Sequence, residues 1–156
     1  MMVDPGTRTG RLSLLEGVWH GSGSGDYPTM EPFDFDEEIR FARLDDRTTR
    51  YEQAATSSGA GELLHSEGGI WRLTPDCGLE VAIAFPGVTE VSEGTLVEGR
   101  VELASTMIGR ATTGARLVSV RRVYVVDGDT LSYDIHMAAR DIPLTRHIWA
   151  SLRRVG

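Results

Sequence analysis

Four histidines and one cysteine are the side chains of this 156-residue sequence best suited to bind a transition metal. They are His20, His65, Cys77, His136 and His147. Their spacings, with one another and with acidic residues, match no HxH, HExxH or CxxC motif, which argues against a zinc hydrolase. The run from Gly21 to Gly25 is followed by neither a lysine nor a predicted helix, so it indicates neither a nucleophile elbow nor a phosphate loop.

The elements that must position these side chains are predicted to be short strands. Apolar and polar residues alternate with a period of two in most segments, for example at Leu131, Tyr133, Ile135 and Met137. Turn signals such as Asp127-Gly128 separate the runs. We predict an all-β fold of about ten strands, arranged as an antiparallel barrel or sandwich. An up-and-down barrel is favoured because it removes the sheet edges and can hold one small ligand.

Three further features refine this barrel. Gly17, Trp19, Gly21 and Gly23 share one face of the first strand, which is typical of a strand that curves tightly. Arg11–Glu16 is predicted to form a short helical turn that caps one end of the barrel. The irregular segment Gly109–Gly114 is predicted to be a loop at one mouth of the barrel.

Composition excludes several classes of partner. The net charge of −7 provides no basic surface for nucleic acid or for an anionic membrane. No apolar run approaches the ~20 residues of a membrane span, and Met1–Gly10 lacks the apolar core of a signal peptide. With Cys77 as its single cysteine, the chain is expected in the cytoplasm. We expect residues 1–10 to be a flexible terminus and residues 11–156 to be one domain.

A series of short motifs runs through the whole sequence. It begins with Gly17-Val18-Trp19-His20-Gly21-Ser22-Gly23 and the turn Tyr27-Pro28-Thr29-Met30-Glu31-Pro32-Phe33. Further segments follow: Leu64-His65-Ser66-Glu67, Gly87-Val88-Thr89-Glu90-Val91, Asp127-Gly128-Asp129, Met137-Ala138-Ala139 and Pro143-Leu144-Thr145-Arg146-His147. In these motifs and their order the sequence resembles the nitrobindin family of heme-binding β-barrels, which implies a barrel of the lipocalin and fatty-acid-binding-protein type. The resemblance covers Leu14 to Val155, nearly the whole chain.

The resemblance implies a function as well as a fold. It implies a protein that binds ferric heme b and converts peroxynitrite to nitrate as a peroxynitrite isomerase, and that also binds nitric oxide. The net charge and the lack of a long apolar run argue for no nucleic-acid or membrane partner, and the sequence leaves a homodimer open. The alternative function is that of a non-catalytic carrier of a small hydrophobic ligand, as the wider barrel superfamily suggests.

The resemblance also implies the residues of the site. His147 occupies the position of the axial heme ligand in the Pro-Leu-x-x-His segment, and His65 is expected on the opposite side of the pocket. The backbone amide of Thr29 is expected close to the heme, with Met137 as an inward-facing contact. Arg116 stands near the place of a family lysine and would pair with a heme propionate.

One observation conflicts with a simple strand at His147. Ile148, Ala150 and Leu152 form the apolar face of this segment, so strict alternation turns His147 away from the core. Either a heme held at the rim of the barrel or a bulge near Pro143 would reconcile the pattern with an iron ligand. The sequence leaves both arrangements open.

Overall fold

The computed structural model describes residues 11–156, and the predicted flexible terminus Met1–Gly10 lies outside the described residues. A 3₁₀ turn at Leu12–Leu14 lies within the predicted helical segment Arg11–Glu16. Leu12 and Leu15 are buried, and the Trp19 indole donates a hydrogen bond of 2.9 Å to the carbonyl oxygen of Leu15. The turn therefore caps one end of the molecule, as predicted.

Ten antiparallel strands follow and form one closed barrel within the described residues. They are β1 (Gly17–Tyr27), β2 (Met30–Arg43), β3 (Thr48–Ser57), β4 (Leu63–Leu73), β5 (Gly78–Phe85), β6 (Val88–Val97), β7 (Arg100–Arg110), β8 (Leu117–Asp127), β9 (Thr130–Ala139) and β10 (Ile142–Arg154). Each strand pairs with its neighbours in sequence, and β1 pairs with β10 to close the ring. The predicted fold class and strand number are confirmed.

One predicted boundary is wrong. The segment Gly109–Gly114 was expected to be a loop, but β7 continues through Arg110 because Gly109 still pairs with Thr89 of β6. The irregular connection between β7 and β8 therefore occupies residues 111–116. No helix within residues 11–156 has the length and apolar character needed to span a bilayer.

The glycines of β1 make room for neighbouring atoms inside a curved strand. A Cβ atom at Gly23 would lie only 2.6 Å from both the Phe35 ring and the Ala150 side chain. At Gly25 it would overlap the Phe33 ring, and at Gly21 the backbone of β10. The bare face predicted from sequence is thus the face against which two aromatic rings and a neighbouring strand pack.

The inward-facing residues form three successive levels along the barrel. One end is filled by an apolar core that includes Trp19, Phe41, Tyr51, Trp71 and Tyr124, in which the Phe41, Tyr51 and Tyr124 rings each lie 5.0–5.4 Å from the Trp71 ring. A set of buried polar side chains follows, which we call the polar layer: Glu37, Gln53, Glu67, Glu90, Arg122 and Tyr133. Beyond the polar layer the interior opens into a cavity.

Candidate functional site

The cavity occupies the end of the barrel opposite the capping turn. Its volume is about 520 Å³, within the range of roughly 300–1,000 Å³ usual for small-molecule sites. Its wall is mostly apolar and consists of Met30, Phe33, Phe35, Gln53, Ala55, Leu64, His65, Glu67, Phe85, Pro86, Ala115, Leu117, Val120, Arg122, Tyr133, Ile135, Met137, His147 and Ile148. Gln53, Glu67, Arg122 and Tyr133 belong to the polar layer, which therefore forms the floor of the cavity.

His147 lies in the cavity wall because β10 carries a bulge at this residue. Arg146 pairs with His136 of β9, whereas Ile148 pairs with Ile135, so His147 is an extra residue with no partner in the ladder. Both His147 and Ile148 consequently contribute to the cavity wall. Strict alternation would have turned His147 outward, and the bulge is the physical reason that it does not.

The register of β10 shows that one of the two arrangements left open by the sequence, a bulge, is present. The register shifts between Arg146 and Ile148, which is at His147 itself, and it also shifts between Ile142 and Thr145, the segment that contains Pro143. His147 is half-buried near the mouth of the cavity. A bulge is therefore present, and it acts on a residue close to the rim.

One nitrogen of the His147 ring is held by the backbone. Nδ1 donates a hydrogen bond of 3.1 Å to the carbonyl oxygen of Asp26, and the Tyr27 ring packs edge-on at 5.1 Å. Burial lowers the pKa of His147, although the bond to Asp26 opposes this shift. A neutral imidazole with Nδ1–H fixed in this way presents Nε2 as a free lone pair, which is the protonation state that a metal ligand needs.

His65 also lines the cavity, but its ring is held differently. Its Nε2 lies 2.9 Å from Glu67 Oε1, which assigns the ring proton to Nε2, and the Phe85 ring packs at 5.4 Å. Strands β4 and β10 lie four positions apart in the ten-stranded ring, so His65 and His147 approach the cavity from different sides. Because Glu67 engages Nε2 of His65, His147 is the one of these two cavity histidines whose Nε2 has no hydrogen-bond partner among residues 11–156.

The other predicted site residues divide into two groups. Met137 lines the cavity, as its shared face with Ile135 and Tyr133 predicted. Thr29 is exposed in the turn between β1 and β2, next to the cavity residue Met30, and Arg116 is exposed next to Ala115 and Leu117, which both line the cavity. The side chains of Thr29 and Arg116 are absent from the wall, and their roles toward a bound group stay predictions.

The polar layer is the part of the site that sequence reasoning missed. Glu37 lies between Phe35 and Ile39 on the apolar face of β2, and Arg122 lies between Val120 and Tyr124 on that of β8. A charged residue at an apolar position of the alternation was the available signal.

The surroundings in the polar layer shift the pKa values of two of its acidic groups in opposite directions. Burial raises the pKa of Glu37 to about 7, against the effect of hydrogen bonds from Tyr133 and Gln53. Burial also acts to raise the pKa of Glu67, but the Arg122 guanidinium, 2.6 Å away, and His65 hold that pKa below its ordinary value. The polar layer therefore contains one carboxyl group whose pKa lies near neutral pH, Glu37, and one that is firmly ionised, Glu67.

Similar proteins carry this barrel over nearly their whole length. The chain is 39% identical to a peroxynitrite isomerase of Nocardia farcinica over 148 residues, covering 92% of this chain and 88% of the relative. It is 41% identical to peroxynitrite isomerase 1 of Mycobacterium tuberculosis over 152 residues, covering 92% of each chain. Both alignments extend over nearly the whole length of this chain and of the relatives.

Solved structures agree with the fold. The crystal structure of Rv2717c from M. tuberculosis superposes with a TM-score of 0.86 at 37% identity, covering 93% of this chain and 95% of that one. An S-type phycobiliprotein lyase from Guillardia theta shares the fold alone, with a TM-score of 0.64 at 11% identity. The sequence model of the THAP4-like, heme-binding beta-barrel domain matches residues 8–154, and this chain belongs to that family.

Proposed function

We propose that this chain binds heme b in the cavity with His147 as the iron ligand, and that the heme-bound protein converts peroxynitrite to nitrate. The observation that carries the proposal is the β10 bulge, which brings His147 into the cavity wall while Asp26 fixes its Nδ1–H. The relatives named peroxynitrite isomerase, at 39% and 41% identity, support the reaction.

The residues around the cavity fit a heme. A heme needs one protein ligand and a mostly apolar enclosure, and His147 stands in a wall formed largely by Phe, Leu, Ile, Val and Met side chains. The two propionates of a heme need water or cations at the rim. Arg116 lies exposed beside the cavity residues Ala115 and Leu117, where its guanidinium is suited to pair with one propionate.

The chain's own residues have distinct parts in this function. Bound heme supplies the iron chemistry that rearranges peroxynitrite. His147 holds the group in one orientation, because the hydrogen bond from Nδ1 to Asp26 and the Tyr27 ring restrict rotation of the imidazole. His65, fixed by Glu67, limits access from another side of the cavity, and the apolar wall excludes bulk water.

Titration of the purified protein with hemin tests this proposal. We expect a Soret band that saturates at one heme per chain, and we expect His147→Ala to weaken heme binding by a factor of ten or more. His20→Ala is the matched control, since His20 is exposed on the outer face and pairs with Glu38 at 2.8 Å. Equal heme affinity in both variants would contradict His147 as the ligand.

Peroxynitrite decay in the presence of the heme-loaded protein then tests the reaction. We expect accelerated loss of peroxynitrite with nitrate as the product, and little acceleration by the heme-free protein. A wild-type protein that takes up no heme and copurifies with a fatty acid would instead establish the carrier function. Heme uptake without accelerated decay would contradict the isomerase and leave heme binding in place.

We propose four further properties of the same protein. The iron is ferric in the resting state, and nitric oxide binds in the same cavity as a second small ligand. The location is cytoplasmic, which the single cysteine of the chain supports. The fourth property is assembly into a homodimer, which sedimentation equilibrium of the heme-loaded protein distinguishes from a monomer.

A further inference from the structure

The side-chain amide of Gln53 is incompletely hydrogen-bonded. Its Nε2 donates a bond of 2.6 Å to Glu37 Oε2, whereas its buried Oε1 has no partner among residues 11–156. Gln53 is 9% exposed and belongs to the cavity wall. Since buried polar atoms are normally satisfied, a group in the cavity is the available partner for this end of the amide.

Glu37 lies directly behind the amide. Both of its carboxylate oxygens lie 2.7 Å from the Tyr133 hydroxyl of β9, and Gln53 approaches from β3. The charged groups that act on it from β4 are Glu67, which favours protonation of Glu37, and His65, which opposes it. Arg122 of β8 is engaged by Glu67 and Glu90, and β1 presents Gly21 opposite Glu37.

The protonation state of Glu37 determines which end of the amide it binds. An ionised carboxylate only accepts hydrogen bonds, so it binds the Gln53 NH₂ group and leaves the buried carbonyl oxygen without a partner among residues 11–156. A protonated carboxyl group can donate to the carbonyl oxygen, and half a turn of the amide about its last bond then directs the NH₂ group to the cavity. Tyr133 can donate to Glu37 in either case.

We propose that the Gln53 amide hydrogen-bonds small anions in the cavity, and that protonation of Glu37 turns the donor end of this amide toward them. The ligand class is a small anion of the size of an oxyanion of nitrogen, and in naming that class the proposal rests on the proposed function. Binding of such an anion is then accompanied by proton uptake at Glu37. The raised pKa of Glu37, about 7, places this exchange near neutral pH.

The sequence offers a direct measurement. Gln53 is the only glutamine in the chain, and the chain contains no asparagine, so one side-chain NH₂ pair in an ¹H–¹⁵N spectrum belongs to Gln53. In the full-length, heme-free protein we expect this pair to shift with pH around a midpoint of about 7. A pair that does not move between about pH 5 and pH 9 would overturn the proposal.

Two variants test whether Glu37 is the group that titrates at the midpoint of the Gln53 shift. Glu37→Met removes the titrating group without adding a second amide, and we expect the shift of the Gln53 pair to disappear. Glu38→Met is the matched control on the outer face, where Glu38 is paired with Arg40 and His20, and we expect the shift to persist. A shift that survives in Glu37→Met refutes the role of Glu37, and the wild-type titration remains decisive if that variant fails to fold.

Azide binding to the ferric, heme-loaded protein tests the ligand. Below about pH 7 we expect Gln53→Leu to bind azide about tenfold more weakly than wild type, and well above that pH we expect the two proteins to converge. Glu52→Leu, at the exposed neighbouring position, is the control. Equal azide affinities of wild type and Gln53→Leu at every pH overturn the proposal. Absence of heme uptake with a normal amide titration refutes only the proposed function.

Discussion

At the scale of the residue, Glu37 makes the stability of the barrel depend on pH. Its pKa is raised by burial from an ordinary value of 4.5 to about 7. The folded protein therefore holds this proton more tightly than the unfolded chain does. The resulting stabilisation is complete below about pH 4.5 and is lost as the pH rises through about 7.

Replacing Glu37 by Gln tests this dependence, because the amide has a similar shape and does not ionise. We expect the free energy of unfolding of Glu37→Gln, relative to wild type, to increase by about 2–3 kcal/mol between about pH 5 and pH 8. Urea unfolding at a series of pH values measures it. Glu38→Gln, at an exposed position, is the control, and a difference that stays constant across the series would contradict the raised pKa.

Arg122 is the second residue on which the interior depends. Its guanidinium lies 2.6 Å from Glu67 and 2.8 Å from Glu90, and all three side chains are at least 94% buried. It also donates to the Tyr124 hydroxyl at 3.1 Å. One cation thus compensates two carboxylates that have been removed from water, and loss of that cation leaves both uncompensated.

We expect Arg122→Met to reduce the free energy of unfolding by about 3–5 kcal/mol at neutral pH, since a buried ion pair is broken from one side. The matched variant is Arg72→Met, which removes an exposed arginine 2.6 Å from Glu80. For that surface pair we expect a much smaller loss, because both charges stay in contact with water. Urea unfolding measures the free energy of unfolding of both variants. Similar losses would contradict the claim that Arg122 stabilises the buried carboxylates of the polar layer.

At the scale of the element, the site depends on two irregular strands that pair with each other. β1 carries glycines where Phe33 and Phe35 of β2 pack against it, and β10 carries the bulge at His147. Asp26, which accepts the hydrogen bond from His147, follows the last of these glycines in β1. The missing side chains of one strand and the extra residue of the other together shape one side of the cavity.

Gly23→Ala tests the close packing of β1. The added Cβ would lie 2.6 Å from Phe35 and from Ala150, so we expect a loss of about 1–3 kcal/mol in the free energy of unfolding and weaker heme binding. Gly68→Ala in β4 is the control, because the nearest atom to its added Cβ is the Tyr51 carbonyl oxygen at 3.4 Å. Thermal and urea unfolding measure both, and equal tolerance of the two substitutions would contradict the packing argument.

At the scale of the whole molecule, the closed ring divides one interior into a core and a binding site. Along β4 the inward side chains run from His65 at the cavity through Glu67 in the polar layer to Trp71 in the core. Every strand of the described barrel is paired on both sides, and the pairing of β7 with β8 is confined to Arg100–Ala104 and Arg121–Val125. The core keeps its packing while the opposite end stays open to a ligand.

The features of the site that depend on one strand were predictable from sequence, and those that depend on pairing between strands were not. The shared face of Leu131, Tyr133 and Met137 predicted an inward Met137, because alternation is a property of one strand. The sequence left the direction of the His147 side chain open, because a bulge is defined by the pairing of β10 with β9. The polar layer was missed because Glu37 meets Gln53 and Tyr133, which lie on two other strands.

Period-two alternation and turn residues involve only a few neighbouring positions. The sequence by itself therefore determined the strand number, the barrel class and the motifs around His65 and His147. The tertiary structure decided three other features, because they depend on residues that are far apart in the sequence. These are the closure of the ring, the register of β10 and the partners of each buried charge. Only folding brings Asp26 to the imidazole of His147 and thereby leaves one ring nitrogen free. The hydrogen bond between β10 and β1 therefore determines which nitrogen of His147 is protonated, and the local β propensity of either strand does not affect it.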